Sequence, residues 1–139
     1  MYSVTKTFRV SCGHRLSQHQ GLCKNFHGHN LKIQVTLSCR NLNENGMVID
    51  FSELKGMVME IIEDWDHALF LNVNDEELIG LMREKKMRVL LTPGDPTAER
   101  MCWELTFALK EKLQAYFRPV HVRSVRIWEN DDSMAEYES

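Results

Sequence analysis

Near the start of the chain, apolar residues recur at every second position over two stretches. Tyr2, Val4, Phe8, Val10 and Cys12 form one row, and Leu31, Ile33, Val35, Leu37 and Cys39 form the other, with mostly polar residues between them. A period of two puts each row on one face of a β-strand. The pattern predicts a strand over 2–13, a polar loop over 15–26 carrying Gln18, His19, Gln20 and Gly21, and a strand over 29–40. Asn41–Gly46 is rich in Asn and Gly and reads as a turn; Met47-Val48-Ile49 is a short extended run. The period then becomes helical. Phe51, Leu54, Val58, Ile61, Ile62 and Trp65 share one stripe, with Asp50 placed as N-cap, Glu53 as its capping-box partner, and an end near Asp64. Leu78, Ile79, Leu81 and Met82 mark a short helix over 76–85, and Arg88–Leu91 a short edge strand. Pro93-Gly94-Asp95-Pro96 breaks the chain. Pro96 suits a first helical turn with Asp95 before it as cap. Ala98, Met101, Cys102, Leu105, Leu109, Leu113 and Tyr116 make a long stripe, so a helix is expected to about Phe117, before Pro119. A last strand covers 120–129. Its phase slips between Val120/Val122 and Val125/Ile127, which predicts a bulge near Arg123–Ser124. The residues from Asp131 read as an acidic tail.

The order β-β-α-(α, short β)-α-β predicts an α+β layer, with helices on one face of a largely antiparallel sheet. A small sheet with two edges needs them paired or blocked, so assembly through sheet edges is expected. Length predicts one domain over 1–139. Charged residues are 27% and the net charge is -3, which excludes a general electrostatic affinity for nucleic acid or membrane. No apolar run approaches membrane-spanning length, and Met1 leads directly into an amphipathic strand with no signal peptide. Cys12, Cys23, Cys39 and Cys102 are scattered, which fits free thiols in a reducing cytoplasm.

The candidate chemistry lies in Cys23-Lys24-Asn25-Phe26-His27-Gly28-His29-Asn30. His27 and His29 share the parity of the second apolar row, and His14 continues the first. If the strands pair antiparallel across 15–26, three imidazoles converge at one end of the sheet. Three neutral imidazoles suit zinc and leave one coordination position open. Cys23 is either a catalytic residue or a fourth ligand closing a structural site. A His-x-His pair by itself is commonplace, and His14 alone would be an ordinary sheet-end histidine. Asp66-His67 at a helix end is a possible orienting pair, or an Asp near a helix C-terminus beside a surface His. Adjacent residues rarely face each other, so different partners are expected for the two. Glu129 has the parity of Val125 and Ile127 and should face inward. It suits two parallel hydrogen bonds to an amidine-like group, or a rim salt bridge.

Taken in order, His14-Arg15-Leu16, Cys23-x-x-x-His27-Gly28-His29, Gly46-Met47-Val48-Ile49-Asp50-Phe51, Asp66-His67 with Leu71-Asn72, Pro96-Thr97-Ala98-Glu99 and Trp128-Glu129 resemble the family of 6-pyruvoyltetrahydropterin and 6-carboxytetrahydropterin synthases. The resemblance implies the tunnelling fold (T-fold), whose subunits join sheets into a barrel, with two rings stacked into a hexamer. It implies Zn2+ on His14, His27 and His29, and Cys23 as the catalytic cysteine. It implies Asp66 and His67 as acid–base partners that reach the cysteine from a neighbouring subunit. Glu129 would anchor the pterin ring, with Thr97 and Glu99 lining the pocket. The implied substrate is 7,8-dihydroneopterin triphosphate. The Cys-x-x-x-His interval is similar to the bacterial, queuosine-pathway type, which cleaves a carbon–carbon bond and releases acetaldehyde and triphosphate. The alternatives are the 6-pyruvoyl synthase and a non-catalytic, zinc-stabilised oligomeric pterin-binding protein. One departure is the segment Val73–Thr92, longer than in the shortest bacterial members.

Overall fold

The computed structural model describes residues 1–116 and 119–139. Strand β1 (Tyr2–His14) and strand β2 (His27–Cys39) follow the two alternating rows closely. They pair antiparallel over their whole length, from Tyr2 opposite Cys39 to His14 opposite His27. Helix α1 (Phe51–Ile62) starts where Asp50 was placed as cap, and its carboxylate accepts from the Ser52 N–H at 2.7 Å and the Ser52 hydroxyl at 2.6 Å. Strand β3 (Leu69–Asn72) has no counterpart in the alternating pattern. Helix α2 (Glu76–Glu84) and strand β4 (Val89–Thr92) account for the long 73–92 segment.

Helix α3 (Ala98–Leu113) is capped by Thr97, whose hydroxyl accepts from the Arg100 N–H at 3.2 Å. The cap is therefore Thr97 and not Asp95, because the Asp95 carboxylate is engaged elsewhere. The expected helix end at Phe117 falls outside the described residues; α3 closes at Leu113, with Gln114 as C-cap. Strand β5 (His121–Asn130) and strand β6 (Ser133–Glu138) finish the chain. Ala135 and Tyr137, two apart within the supposed acidic tail, pack against the core, so the tail is a strand.

The sheet order is β4-β3-β1-β2-β5-β6. The central and C-terminal pairs are antiparallel, but β3 joins β1 in parallel and β4 joins β3 in parallel. The sheet is mixed where a largely antiparallel one was expected. Two long helices cover one face. Phe8, Val10, Leu31, Ile33, Val35, Leu37, Val122, Val125 and Ile127 bury against Leu54, Val58 and Ile62 of α1 and Met101, Leu105 and Leu109 of α3. The expected bulge is present. Thr36 pairs with Ser124 and Leu37 with Val122, so Arg123 is the extra residue that lets Val122 and Val125 both face inward. Phe51, expected on the apolar stripe, is half-exposed at the start of α1, whereas Trp65 is buried and meets Phe70 edge to face at 5.5 Å. No helix among the described residues is long and apolar enough to cross a membrane.

Candidate metal and substrate site

The β1–β2 register decides where the histidines go. His14 lies directly opposite His27, and Cys12 opposite His29, so all three imidazoles leave the same face of the strand pair. Their ring centroids lie 4.4, 5.0 and 5.0 Å apart, and one ligand nitrogen from each falls within 4.8 Å of the others. The backbone orients two of the rings. His14 Nδ1 donates to the Pro96 carbonyl at 2.8 Å, and His27 Nδ1 donates to the Asn25 carbonyl at 2.8 Å. Each bond fixes the tautomer and leaves Nε2 with a free lone pair, as metal-bound histidines require. His14 Nε2 and His29 Nε2 stand 3.1 Å apart. Two nitrogens on one tetrahedral zinc, each about 2.0–2.1 Å from it, stand about 3.3–3.4 Å apart. The donor set fits a metal ion, with the His14–His29 pair already near the spacing that a shared ion requires. Burial lowers the pKa of His14, opposed by its bond to Pro96, and so favours the neutral ring that a ligand needs.

Close backbone approach makes the strand ends possible. Gly13 and Gly28 face each other beside the cluster. A Cβ on Gly13 would meet the His27 carbonyl at 3.3 Å and Leu69 at 3.4 Å.

Glu129 borders the cluster. Its two carboxylate oxygens lie 3.9 Å from His14 Nε2 and 3.7 Å from His29 Nε2, beyond hydrogen-bond length. A second bulge falls at this residue. Trp128 pairs with Met134 and Asn130 with Ser133, which leaves Glu129 as the extra residue on β5. Glu129 also lines a cavity of about 260 Å³ together with Leu16, Thr97, Ala98, Glu99, Ser133, Met134 and Ala135. Thr97, Glu99 and Glu129, expected to act together, thus share one cavity, and of these Glu129 is the one that stands beside the imidazoles.

Cys23 sits half-buried on a one-turn 3-10 helix, Leu22–Lys24, in the loop between β1 and β2. Its carbonyl accepts from the Leu16 N–H at 2.9 Å. The metal-capable cluster among the described residues comprises the three histidines without Cys23. The other cysteines are poor nucleophiles. Burial, with help from Asp66 and Glu129, pushes the Cys12 thiol up to about 12; burial does the same to Cys102; Cys39 is buried in the core.

Asp66 and His67 do face each other, contrary to the expectation for adjacent residues. His67 Nδ1 donates to Asp66 Oδ2 at 2.8 Å. The reason is a contact with β1: His67 has φ 58°, and its N–H donates to the Ser11 carbonyl at 2.7 Å, while Asp66 Oδ1 accepts from the Ser11 N–H at 3.1 Å. These bonds, that to His67 first, hold the Asp66 carboxyl below its usual range. His67 is 82% exposed, so its Nε2 is open to an incoming group.

Two elements of the site were not legible in the sequence: the carbonyls of Asn25 and Pro96, and the bulge at Glu129. A main-chain acceptor carries no residue-type signal, although a proline two residues before a helix start was a hint of fixed geometry.

The chain matches the family model described as 6-pyruvoyl tetrahydropterin synthase over residues 3–139. It is 33% identical over 146 aligned positions to 6-carboxy-5,6,7,8-tetrahydropterin synthase of Haemophilus influenzae, covering 99% of each chain. It is 32% identical to the protein of that name from Aquifex aeolicus, covering 98% of this chain and 97% of the relative. Among solved structures, an uncharacterized protein from Wolinella succinogenes superposes with a TM-score of 0.84 at 23% identity, over 99% of this chain and 97% of that one. The 6-pyruvoyl tetrahydropterin synthase of Caenorhabditis elegans does so with a TM-score of 0.70 at 21% identity, over 99% and 95%. With the order of its motifs, its helix-backed curled sheet and the match along nearly its whole length, the chain belongs to the 6-pyruvoyl tetrahydropterin synthase family and has the tunnelling fold.

Proposed function

We propose that this protein is a zinc-dependent, cytoplasmic 6-carboxy-5,6,7,8-tetrahydropterin synthase. It acts on 7,8-dihydroneopterin triphosphate and releases acetaldehyde and triphosphate. The observation that carries this reading is the position of Glu129, between the three-imidazole cluster and the cavity beside Thr97 and Glu99. A pterin ring presents an N–H and an exocyclic amine side by side, and one carboxylate accepts both. A ring held by Glu129 has its side chain within reach of the histidines.

Bound zinc, held by His14, His27 and His29, would supply Lewis acidity toward the hydroxyls of that side chain. Cys23, as thiolate, takes the proton from the side chain. His67 returns one, with its tautomer set by Asp66. The exposure of the Asp66–His67 pair supports a role across a subunit boundary, toward Cys23 of the partner subunit. Thr97 and Glu99 line the ring's cavity, and Glu129 supplies the positioning. The 6-carboxy product is favoured over the 6-pyruvoyl one by the curated relatives at 32–33% identity, which carry the 6-carboxy name, and by the Cys-x-x-x-His interval. Four unpaired cysteines support a reducing compartment.

Incubation of the zinc-loaded protein with 7,8-dihydroneopterin triphosphate tests the proposal, with products read by mass and acetaldehyde assayed separately. The 6-carboxy product with acetaldehyde is expected, from protein holding about one zinc per chain. A 6-pyruvoyl product without acetaldehyde replaces the assignment with the sister activity. Binding without turnover replaces it with a pterin-binding protein.

A further inference from the structure

Asp95 is the most heavily bonded carboxylate among the described side-chain contacts, and it lies outside the chemistry assigned above. Its Oδ1 accepts from the Ser17 N–H at 3.1 Å, the Ser17 hydroxyl at 2.7 Å and Asn72 Nδ2 at 3.0 Å. Its Oδ2 accepts from the Gln18 N–H at 2.8 Å. The three segments it joins are those that hold His14. Ser17 and Gln18 lie three and four residues after His14, where the chain leaves β1. Asn72 ends β3, the strand whose Phe70 pairs with His14. Asp95 itself precedes Pro96, whose carbonyl takes the His14 Nδ1–H at 2.8 Å. Pro96 is buried and its ring fixes φ, which removes one of the rotations between the carboxylate and that carbonyl.

We infer that Asp95 is a positioning residue for the metal site, which clamps the Pro96 carbonyl and the chain after His14 so that His14 Nε2 points at the metal. The inference rests on the three-histidine zinc reading. Asp95 does not touch the metal or the substrate cavity; it acts through Pro96 and His14. Asparagine at this position keeps the shape but puts an amide donor where one oxygen now accepts. One of the donors from Ser17, Gln18 or Asn72 must then turn away, and the clamp loosens.

The test compares zinc affinity, by competition with a chromophoric chelator, in the wild type, Asp95→Asn, Val58→Ala and His27→Ala. Val58 is fully buried in the core far along α1 and serves as a variant weakened in stability alone. Partners that orient a metal-bound histidine are worth roughly ten- to a hundredfold in metal affinity, and that loss is expected for Asp95→Asn and not for Val58→Ala. A site-specific readout accompanies it. In the zinc-loaded protein, the imidazole Nδ1–H resonance of His14 should broaden or shift in Asp95→Asn, while that of His27, held by the Asn25 carbonyl, stays in place. Wild-type affinity and an unchanged His14 resonance in Asp95→Asn, with zinc lost in His27→Ala, overturn the positioning role alone. An equal affinity loss in Val58→Ala reduces Asp95 to a general stability role and also overturns it. Wild-type affinity in both His27→Ala and Asp95→Asn removes the metal reading itself and this inference with it.

Discussion

At the scale of single residues, the site consists of rings and carboxylates whose neighbours are mostly main chain. His14 and His27 are aimed by carbonyls and Asp66 by the Ser11 N–H, while Glu129 stands at a bulge. This arrangement separates the roles of Glu129 and Cys23 experimentally. In Glu129→Gln the side chain keeps its shape but offers one acceptor and a misplaced donor to the pterin ring. An unpaired donor in a desolvated slot costs about 1–3 kcal/mol, or roughly ten- to a hundredfold in kcat/KM. The loss should appear in substrate binding, with zinc content unchanged by metal analysis. Wild-type kinetics in that variant would remove the anchor assignment. Cys23 lies outside the imidazole cluster, so Cys23→Ala should retain its zinc and lose turnover. Loss of metal and activity together would instead place Cys23 in the coordination shell.

At the scale of elements, several loops are secured by polar side chains. Asn72 accepts from the Asn74 N–H, Thr92 donates to the Gly94 carbonyl, and Arg88 donates to the carbonyls of Glu63 and Asp64 at the end of α1. Asp75 opens α2 without a side-chain cap bond because its carboxylate faces Arg15 Nε at 3.4 Å. Asp95 is the centre of this set and makes stability depend on pH. Burial raises its pKa, but the bonds from Asn72, Ser17 and Gln18 outweigh burial and hold the folded-state value below 3.8. A depressed carboxylate stabilises the fold fully above its unfolded pKa, and that contribution is lost as pH falls through the folded value. Asp95→Asn should therefore unfold at lower denaturant concentration than wild type at neutral pH. The gap should close below pH 3.8, where wild-type Asp95 begins to take up its proton on unfolding. A gap that stays constant from neutral to strongly acidic pH would mean that the charge contributes nothing.

At the scale of the molecule, the sheet ends in β4 on one side and β6 on the other, and both offer unpaired backbone groups to another chain. Family membership makes a barrel of joined sheets the expected closure, with two rings stacked as a homohexamer. Light scattering at micromolar concentration should find a particle of about six chains. A stable monomer would contradict the closure and would also strand the exposed Asp66–His67 pair away from any Cys23 of a partner subunit.

Much of this was legible in the chain itself. Period-two rows gave β1 and β2, helical stripes gave α1 and α3, and a slipped phase marked the bulge at Arg123, because burial on one face forces apolar residues onto a fixed period. The parity of His14, His27 and His29 was legible for the same reason. Other features were not. β3 is too short and too fully buried to show alternation, since Phe70, Leu71 and Asn72 are all enclosed. β6 alternates only through Ala135 and Tyr137 among acidic neighbours. The parallel pairing of β3 and β4 depends on contacts between distant segments, which local patterning does not encode. The convergence of the imidazoles needed the β1–β2 register, the aim of His14 needed a carbonyl 82 residues away, and the meeting of Asp66 with His67 needed a positive φ stabilised by Ser11. Sequence determined which side chains were available and which face each occupied. Tertiary structure decided which of them meet, because the groups that orient them are backbone atoms brought from elsewhere in the chain.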